Sequence, residues 1–184
     1  MDLKLEKRVA GKKSELSRIR REGNYPAVLY VKGSESVAVE IDGEVFQTHL
    51  RNMPEGTLAT QIFNVELDGR KFKAITKDIR YHRTTYNIQH IDLMEVADED
   101  LVSVHIPVMC KGVDRCLGIT QGGQLKRVKR SVKVTVKVGE MPEVFTLDVT
   151  KVQLGESLRV KDVELTPSMK LGISKAQVLV AVSK

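Results

Sequence analysis

Apolar and polar residues alternate with a period of two along much of this chain, and this alternation restricts the possible folds more than any other feature. Successive side chains of a strand point to opposite faces, so a period of two marks a half-buried strand, whereas a helix face needs apolar residues three and four apart. Val132, Val134, Val136 and Val138 alternate with Ser131, Lys133, Thr135 and Lys137, and Val102, Val104, Ile106 and Val108 form a similar series. Residues 62 to 67 and 70 to 76 are two more strand-like runs, joined by Asp68-Gly69, a two-residue turn that tolerates positive φ. Leu3 and Leu5 alternate at the start; Pro26 to Val31 is an apolar run of strand length; Val37, Val39 and Ile41 lead to a turn at Asp42-Gly43; residues 177 to 182 close the chain. Pro107, Pro142 and Pro167 are expected near strand ends or in turns, because proline cannot donate to a ladder. The expectation is a mainly β protein with short helices.

Two segments carry the helical signal. After a loop at Gly11-Lys12-Lys13-Ser14, Ser14 is placed to cap a short helix with Leu16 and Ile19 three apart, ended by Gly23. Arg18, Arg20 and Arg21 lie mostly away from the Leu16 and Ile19 stripe, so a basic face is presented while the apolar one docks. Residues 44 to 51 read as a second helix, with Phe46 and Leu50 four apart. A chain of 184 residues fits one large domain or two small ones at roughly 150 residues per domain. The acidic joint Ala97-Asp98-Glu99-Asp100 suggests two, residues 1–95 and 96–184, with no internal repeat or low-complexity segment.

Charge is unevenly spread. Residues 7 to 21 hold seven basic and one acidic side chain, 70 to 83 six and one, and 126 to 137 six and none. These blocks carry a surplus of 17 positive charges on a background of −11, which together give the net +6. Clustered Lys and Arg on an acidic background form a binding footprint for a polyanion, since they release condensed counterions from it. The plainer use of such a block is a solvated face.

Several function classes are disfavoured. The 41% apolar content argues against wholesale disorder. No apolar run approaches the roughly 18 residues of a membrane span, and the first thirteen residues lack the apolar core of a signal peptide, so a soluble cytoplasmic protein is expected. Cys110 and Cys116 read as two reduced thiols, and His49, His82, His90 and His105 show no recognised metal-ligand spacing, so no metal or other cofactor is expected. Gly118-Ile119-Thr120-Gln121-Gly122-Gly123 lacks the Gly-Lys-Ser/Thr of a phosphate loop and reads as a turn or bulge between strands, with no helix after it.

Residues 88 to 94 are the most informative heptad. Ile91 and Leu93 fall on one face of a strand and His90 with Asp92 on the other. A Ser, His, Asp hydrolase would need a nucleophile signature that is missing, so no enzyme and no small-molecule substrate are expected. A carboxylate repels phosphate, so in an RNA site Asp92 would accept from a base amino group or hold a basic neighbour; otherwise the pair is ordinary surface. Four Tyr, four Phe and no Trp argue against an extended stacking platform and favour a structured RNA read by shape and groove. Tyr30, at the end of the strand after the basic helix, is the one aromatic expected at the interface.

Gly11-Lys12, Arg18-Ile19-Arg20-Arg21-Glu22-Gly23, Pro26-Ala27-Val28-Leu29-Tyr30, Lys77-Asp78-Ile79 and His90-Ile91-Asp92-Leu93 in the first half occur in a specific order and spacing. So do Ile106-Pro107-Val108, Gly118 with Gly122-Gly123, Met141-Pro142-Glu143, Leu147-Asp148-Val149, residues 154 to 158 and Val160-Lys161-Asp162 in the second. Over nearly the whole chain this pattern resembles the bacterial 5S rRNA-binding ribosomal proteins of the L twenty-five type, in the long two-domain form also called general stress protein CTC. The resemblance implies a six-stranded β-barrel first domain that docks on 5S rRNA and a β-rich second domain. It implies RNA contacts at Arg20, Tyr30, His90 and Asp92, and more loosely at Lys12, Arg18, Arg21 and Arg80, with large-subunit proteins as further partners. The chain departs from the family's pattern at Val31, Arg80 and Leu93. The expected function is a ribosome-associated structural protein that stabilises 5S rRNA. The alternative is a stress-induced interaction protein acting off the ribosome through the basic block at 126 to 137.

Overall fold

The computed structural model describes residues 2–9, 11, 13–30, 35–166 and 168–184. It separates into two compact units, the first ending at Asp98 and the second beginning at Glu99. Both are mainly β with short helices.

In the first unit, strands β1 (Asp2–Lys7), β2 (Tyr25–Tyr30), β3 (Val37–Ile41), β4 (Ile62–Leu67), β5 (Arg70–Tyr81) and β6 (Ile88–Glu95) close into a barrel in the order β1-β3-β2-β6-β5-β4. Closure removes the free edges that an open sheet leaves unpaired. The pairs β1–β4 and β2–β6 are parallel and the others antiparallel. Alternation works as the sequence indicates: Leu3, Leu5, Ala27, Leu29, Val39, Ile41, Phe63, Val65, Ile91 and Leu93 all point into one core. The β4–β5 hairpin turns on Asp68 at φ 50° and Gly69 at φ 79°, the two positive values that match strand twist in a two-residue turn. Strand β5 runs on to Tyr81, past the expected end at Thr76, because β6 continues to pair with it.

Helix α1 (Lys13–Arg21) begins before Ser14, so Ser14 lies inside its first turn and is not the cap. Its end is as expected: Gly23 sits at φ 89°, and the amides of Gly23 and Asn24 donate to the carbonyls of Arg20 and Ile19, the paired bonds of a Schellman stop. Ile19 is fully buried, while the last turn keeps Arg18, Arg20 and Arg21 at the negative end of the helix dipole. Helix α2 (Gly43–Asn52) replaces the expected turn at Asp42-Gly43: the Asp42 carboxylate accepts from the amides of Glu44 and Val45 as an N-cap, typically worth about 1 kcal/mol. Gly43 is dictated by contact, since a Cβ there would lie 1.7 Å from the Gly23 carbonyl oxygen. The helix thereby sets Phe46 between Tyr25 and Phe63, with ring centroids 6.0 and 6.1 Å apart.

The second unit has two sheets. β7 (Leu101–Lys111), β9 (Ser131–Lys137), β10 (Phe145–Asp148) and β12 (Lys170–Leu171) form one in the order β10-β7-β9-β12, and β8 (Gln124–Arg127), β11 (Ser157–Arg159) and β13 (Val178–Ser183) form the other in the order β11-β13-β8. Pro107 is inside β7, not at its end. It is tolerated because the antiparallel ladder to β9 ends at Pro107 and the parallel ladder to β10 begins at Val108. Pro142 lies between strands, and Pro167 is outside the described residues. The glycine-rich segment is more than a turn: helix α3 (Leu117–Thr120) makes a single helical turn within it before β8. Gly118 and Gly123 pack so tightly against Val182 that a Cβ at either would lie under 3 Å from its Cγ1.

Candidate nucleic-acid interface

The β5–β6 pair is interrupted by two bulges, and each delivers a cation. Register passes from Thr76 opposite Leu93 to Asp78 opposite Asp92, leaving Lys77 as an extra residue on β5. Bulges bend a strand and re-aim a side chain; the Lys77 ammonium lies 5.1 Å from the centroid of the Tyr30 ring at the end of β2, a cation–π contact. Register then passes from Arg80 opposite His90 to Tyr81 opposite Ile88, leaving Gln89 as the extra residue on β6. The Gln89 carbonyl accepts from both Nε and an Nη of Arg20, at 3.1 and 3.0 Å, which ties the basic end of α1 to the hairpin. Two of the five guanidinium donors are used this way and three remain for a ligand.

Between these anchors, cross-strand pairing puts Arg80, His90, Asp78 and Asp92 on the face opposite Ile91 and Leu93. Nδ1 of His90 lies 2.7 Å from Oδ1 of Asp92, although the approach lacks the direction of a hydrogen bond and leaves this buried ring nitrogen without an aligned partner. Asp78 and Asp92 stand directly opposite one another, a like-charge pair that is unfavourable in a sheet. Two carboxylates opposite one another on the strands that carry Lys77, Arg80 and His90 give the face both acceptors and donors, as direct readout of bases needs and simple phosphate attraction does not.

The expected residues fall into distinct situations. Arg20, Tyr30, Arg80, His90 and Asp92 belong to α1, β2, β5 and β6, which the bulges and the β2–β6 pairing bring together. Arg18 and Arg21 are exposed at the end of α1, with Arg18 3.9 Å from Glu22 in an i,i+4 pair. Lys12 lies outside the described residues, as does Val31. Lys77 and Gln89 had no assigned role in the sequence. Only the surplus residue between two period-two series signals a bulge, and which residue is surplus depends on the register of the partner strand.

The hairpin continues to a tip where Tyr81 and Tyr86 are both exposed, at 49% and 77%. Partial burial raises the Tyr81 phenol above its ordinary pKa. In the second unit, the 126 to 137 block is spread over three elements: Lys126 and Arg127 lie on β8, Lys129 and Arg130 between strands, and Lys133 and Lys137 on β9 of the other sheet. Among the described residues no three His, Cys, Asp or Glu side chains cluster as a metal site, and no helix is long and apolar enough to cross a membrane.

The pattern of the Ribosomal L25p family matches residues 3–93, and that of the ribosomal protein TL5 C-terminal domain matches residues 101–184. The chain is 34% identical over 184 residues to the large ribosomal subunit protein bL25 of Chlamydia muridarum, covering 100% of both chains. The same protein of Chlamydia trachomatis serovar D is also 34% identical, and that of Chlamydia pneumoniae 33%, again over 100% of both chains.

Proposed function

The chain belongs to the Ribosomal L25p family, and from that premise we propose that it is a structural constituent of the large ribosomal subunit that binds and stabilises 5S rRNA through residues 1–95. The observation that carries this reading is the doubly bulged β5–β6 face. It gathers Arg20, Tyr30, Lys77, Arg80, His90 and Asp92 on a rigid barrel, with cations for phosphates and fixed acceptors for base edges. The closed barrel supplies what a readout site needs: strands and the docked end of α1, not loops, hold Arg20, Tyr30, Lys77, Arg80, His90 and Asp92, so little order has to be gained on binding.

Arg18 and Arg21 extend the cationic rim from the end of α1, and Lys12 is a further expected phosphate contact. These side chains supply the salt-dependent part of affinity, and Asp92 with His90 supplies the salt-independent part. The function is assembly and positioning of RNA, without chemistry. The test is quantitative binding of the full chain and of residues 99–184 to 5S rRNA. The full chain is expected to bind specifically and to co-sediment with large subunits, and the second unit alone to show only weak, nonspecific, salt-sensitive association. Equal binding by the second unit, or full chain left in the soluble fraction of a gradient, would overturn the proposal.

A further inference from the structure

The tip of the β5–β6 hairpin is built more carefully than a solvent loop requires. His82 and Asn87 close it, with the His82 amide donating to the Asn87 carbonyl at 2.8 Å and the Tyr86 amide donating to the His82 carbonyl at 3.0 Å. The His82 ring reinforces the turn from inside: Nδ1 accepts from the amides of Thr85 at 3.2 Å and Thr84 at 3.4 Å, so the ring proton sits on Nε2. The result holds Tyr86 at φ 57°, in the left-handed region that a bulky residue enters only at a cost and that glycine enters freely. Despite that cost the position carries an aromatic ring, and the ring is 77% exposed. Strain retained at an exposed ring points to a use for the ring.

The surroundings select the partner. Residues 80 to 87 contain Arg80 and Arg83 and no acidic side chain, so the tip is complementary to a polyanion, and it continues the same two strands that carry Lys77, His90 and Asp92. At about 3.3 Å per residue, the tip is within one strand length of His90. We propose that Tyr86 stacks on an unpaired base of the RNA bound along the β5–β6 face, and that His82 is the positioning residue that holds the ring outward. This rests on the RNA-binding reading above and adds to it a second mode of contact. Unpaired bases are the elements of a structured RNA that can be splayed onto an aromatic ring, and the guanidinium groups of Arg80 and Arg83 flank such a base with phosphate contacts.

The experiment uses the full chain with 5S rRNA, measuring affinity over a range of salt and the 2′-hydroxyl acylation of each nucleotide, which falls where a nucleotide is held. Tyr86→Gly keeps the backbone geometry and removes only the ring. It is expected to weaken binding about 5- to 150-fold with the salt slope unchanged, and to restore reactivity at a protected base while the rest of the footprint persists. Tyr86→Phe is expected to bind like the parent chain. His82→Ala is expected to expose the same base with a smaller loss, at unaltered melting temperature. A Tyr86→Gly footprint and affinity equal to those of the parent would overturn the stacking role and leave the RNA-binding reading intact. A parent chain that leaves 5S rRNA unprotected would overturn both.

Discussion

The two units spend comparable amounts of positive charge in different ways. In the first, the cations of α1 and β5 are restrained: Arg20 by the Gln89 carbonyl, Lys77 by the Tyr30 ring and Arg18 by Glu22. Arg20 and Lys77 converge with His90 and two carboxylates. In the second, the 126 to 137 block is divided between two sheets and a connection, with Lys137 in an exposed contact with Glu99 at 3.4 Å and the Arg127 guanidinium hydrogen-bonded to the Cys110 thiol. What distinguishes the first unit is the placement of donors beside acceptors by strand register, an arrangement that base readout requires and that clustered charge alone does not supply.

The largest expected effect comes from the way each unit packs its glycines. Gly43→Ala drives a Cβ into the Gly23 backbone, which cannot rotate away, so the first unit should lose about 3 kcal/mol or more and RNA binding with it. Gly118→Ala meets the buried Val182 methyl at 2.7 Å and the backbone of Gln153 and Leu154 at 3.0 and 3.1 Å, looser than the 1.7 Å approach at Gly43, and should cost the second unit about 1 to 3 kcal/mol without affecting binding. Denaturant melts of the two variants, paired with RNA titrations, check this. Loss of binding by Gly118→Ala at native stability of the first unit would remove the contrast.

Next in size is Asp92→Asn. If the first unit bound RNA by charge alone, removing a carboxylate would tighten the complex. As an acceptor for a base amino group, or as the group that orients His90, Asp92 should instead be worth about 1 to 3 kcal/mol, independent of salt. Stability should not fall, because the substitution also relieves the repulsion from Asp78 across the strand pair. Filter binding at several salt concentrations and a thermal melt give both readouts, and equal or tighter binding would return the pair to ordinary surface.

Smaller still is the contrast between Arg21→Ala and Lys126→Ala. The first should lower the slope of log affinity against log salt by roughly 0.7 to 0.9, one phosphate contact, and the second should leave it unchanged. Arg20→Ala is less clean, because it also frees α1 from Gln89. The smallest effect is expected for an acid that serves only the fold. Asp148 accepts from the Thr150 amide and hydroxyl, which holds its carboxyl below the usual range. A depressed carboxyl stabilises the fold above its unfolded pKa and loses that contribution as pH falls through the folded value. Thr150→Ala removes one donor, so the carboxyl should titrate at a higher pH by NMR and acid loss should begin earlier, with RNA binding unaffected.

Much of the molecule was legible in the chain. The Val132 to Val138 alternation, the Asp68-Gly69 hairpin and the Gly23 helix stop are local rules, and they need no knowledge of distant residues. The separation of His90 and Asp92 from Ile91 and Leu93 is likewise a property of any strand. The start of α1 before Ser14 is a local difference of one residue. Where expectation otherwise departed from structure, a distant partner had intervened. Asp42 caps a helix whose first glycine is pressed against Gly23, and Pro107 sits inside a strand because two ladders meet there. The same holds for the candidate interface. Sequence supplied its residue types, whereas Lys77 and Gln89 became anchors only when β5 and β6 paired with one surplus residue on each. A bulge belongs to neither strand by itself. It is a mismatch between two registers, settled by which pairing buries the most apolar side chains, and that choice is made only when the barrel closes.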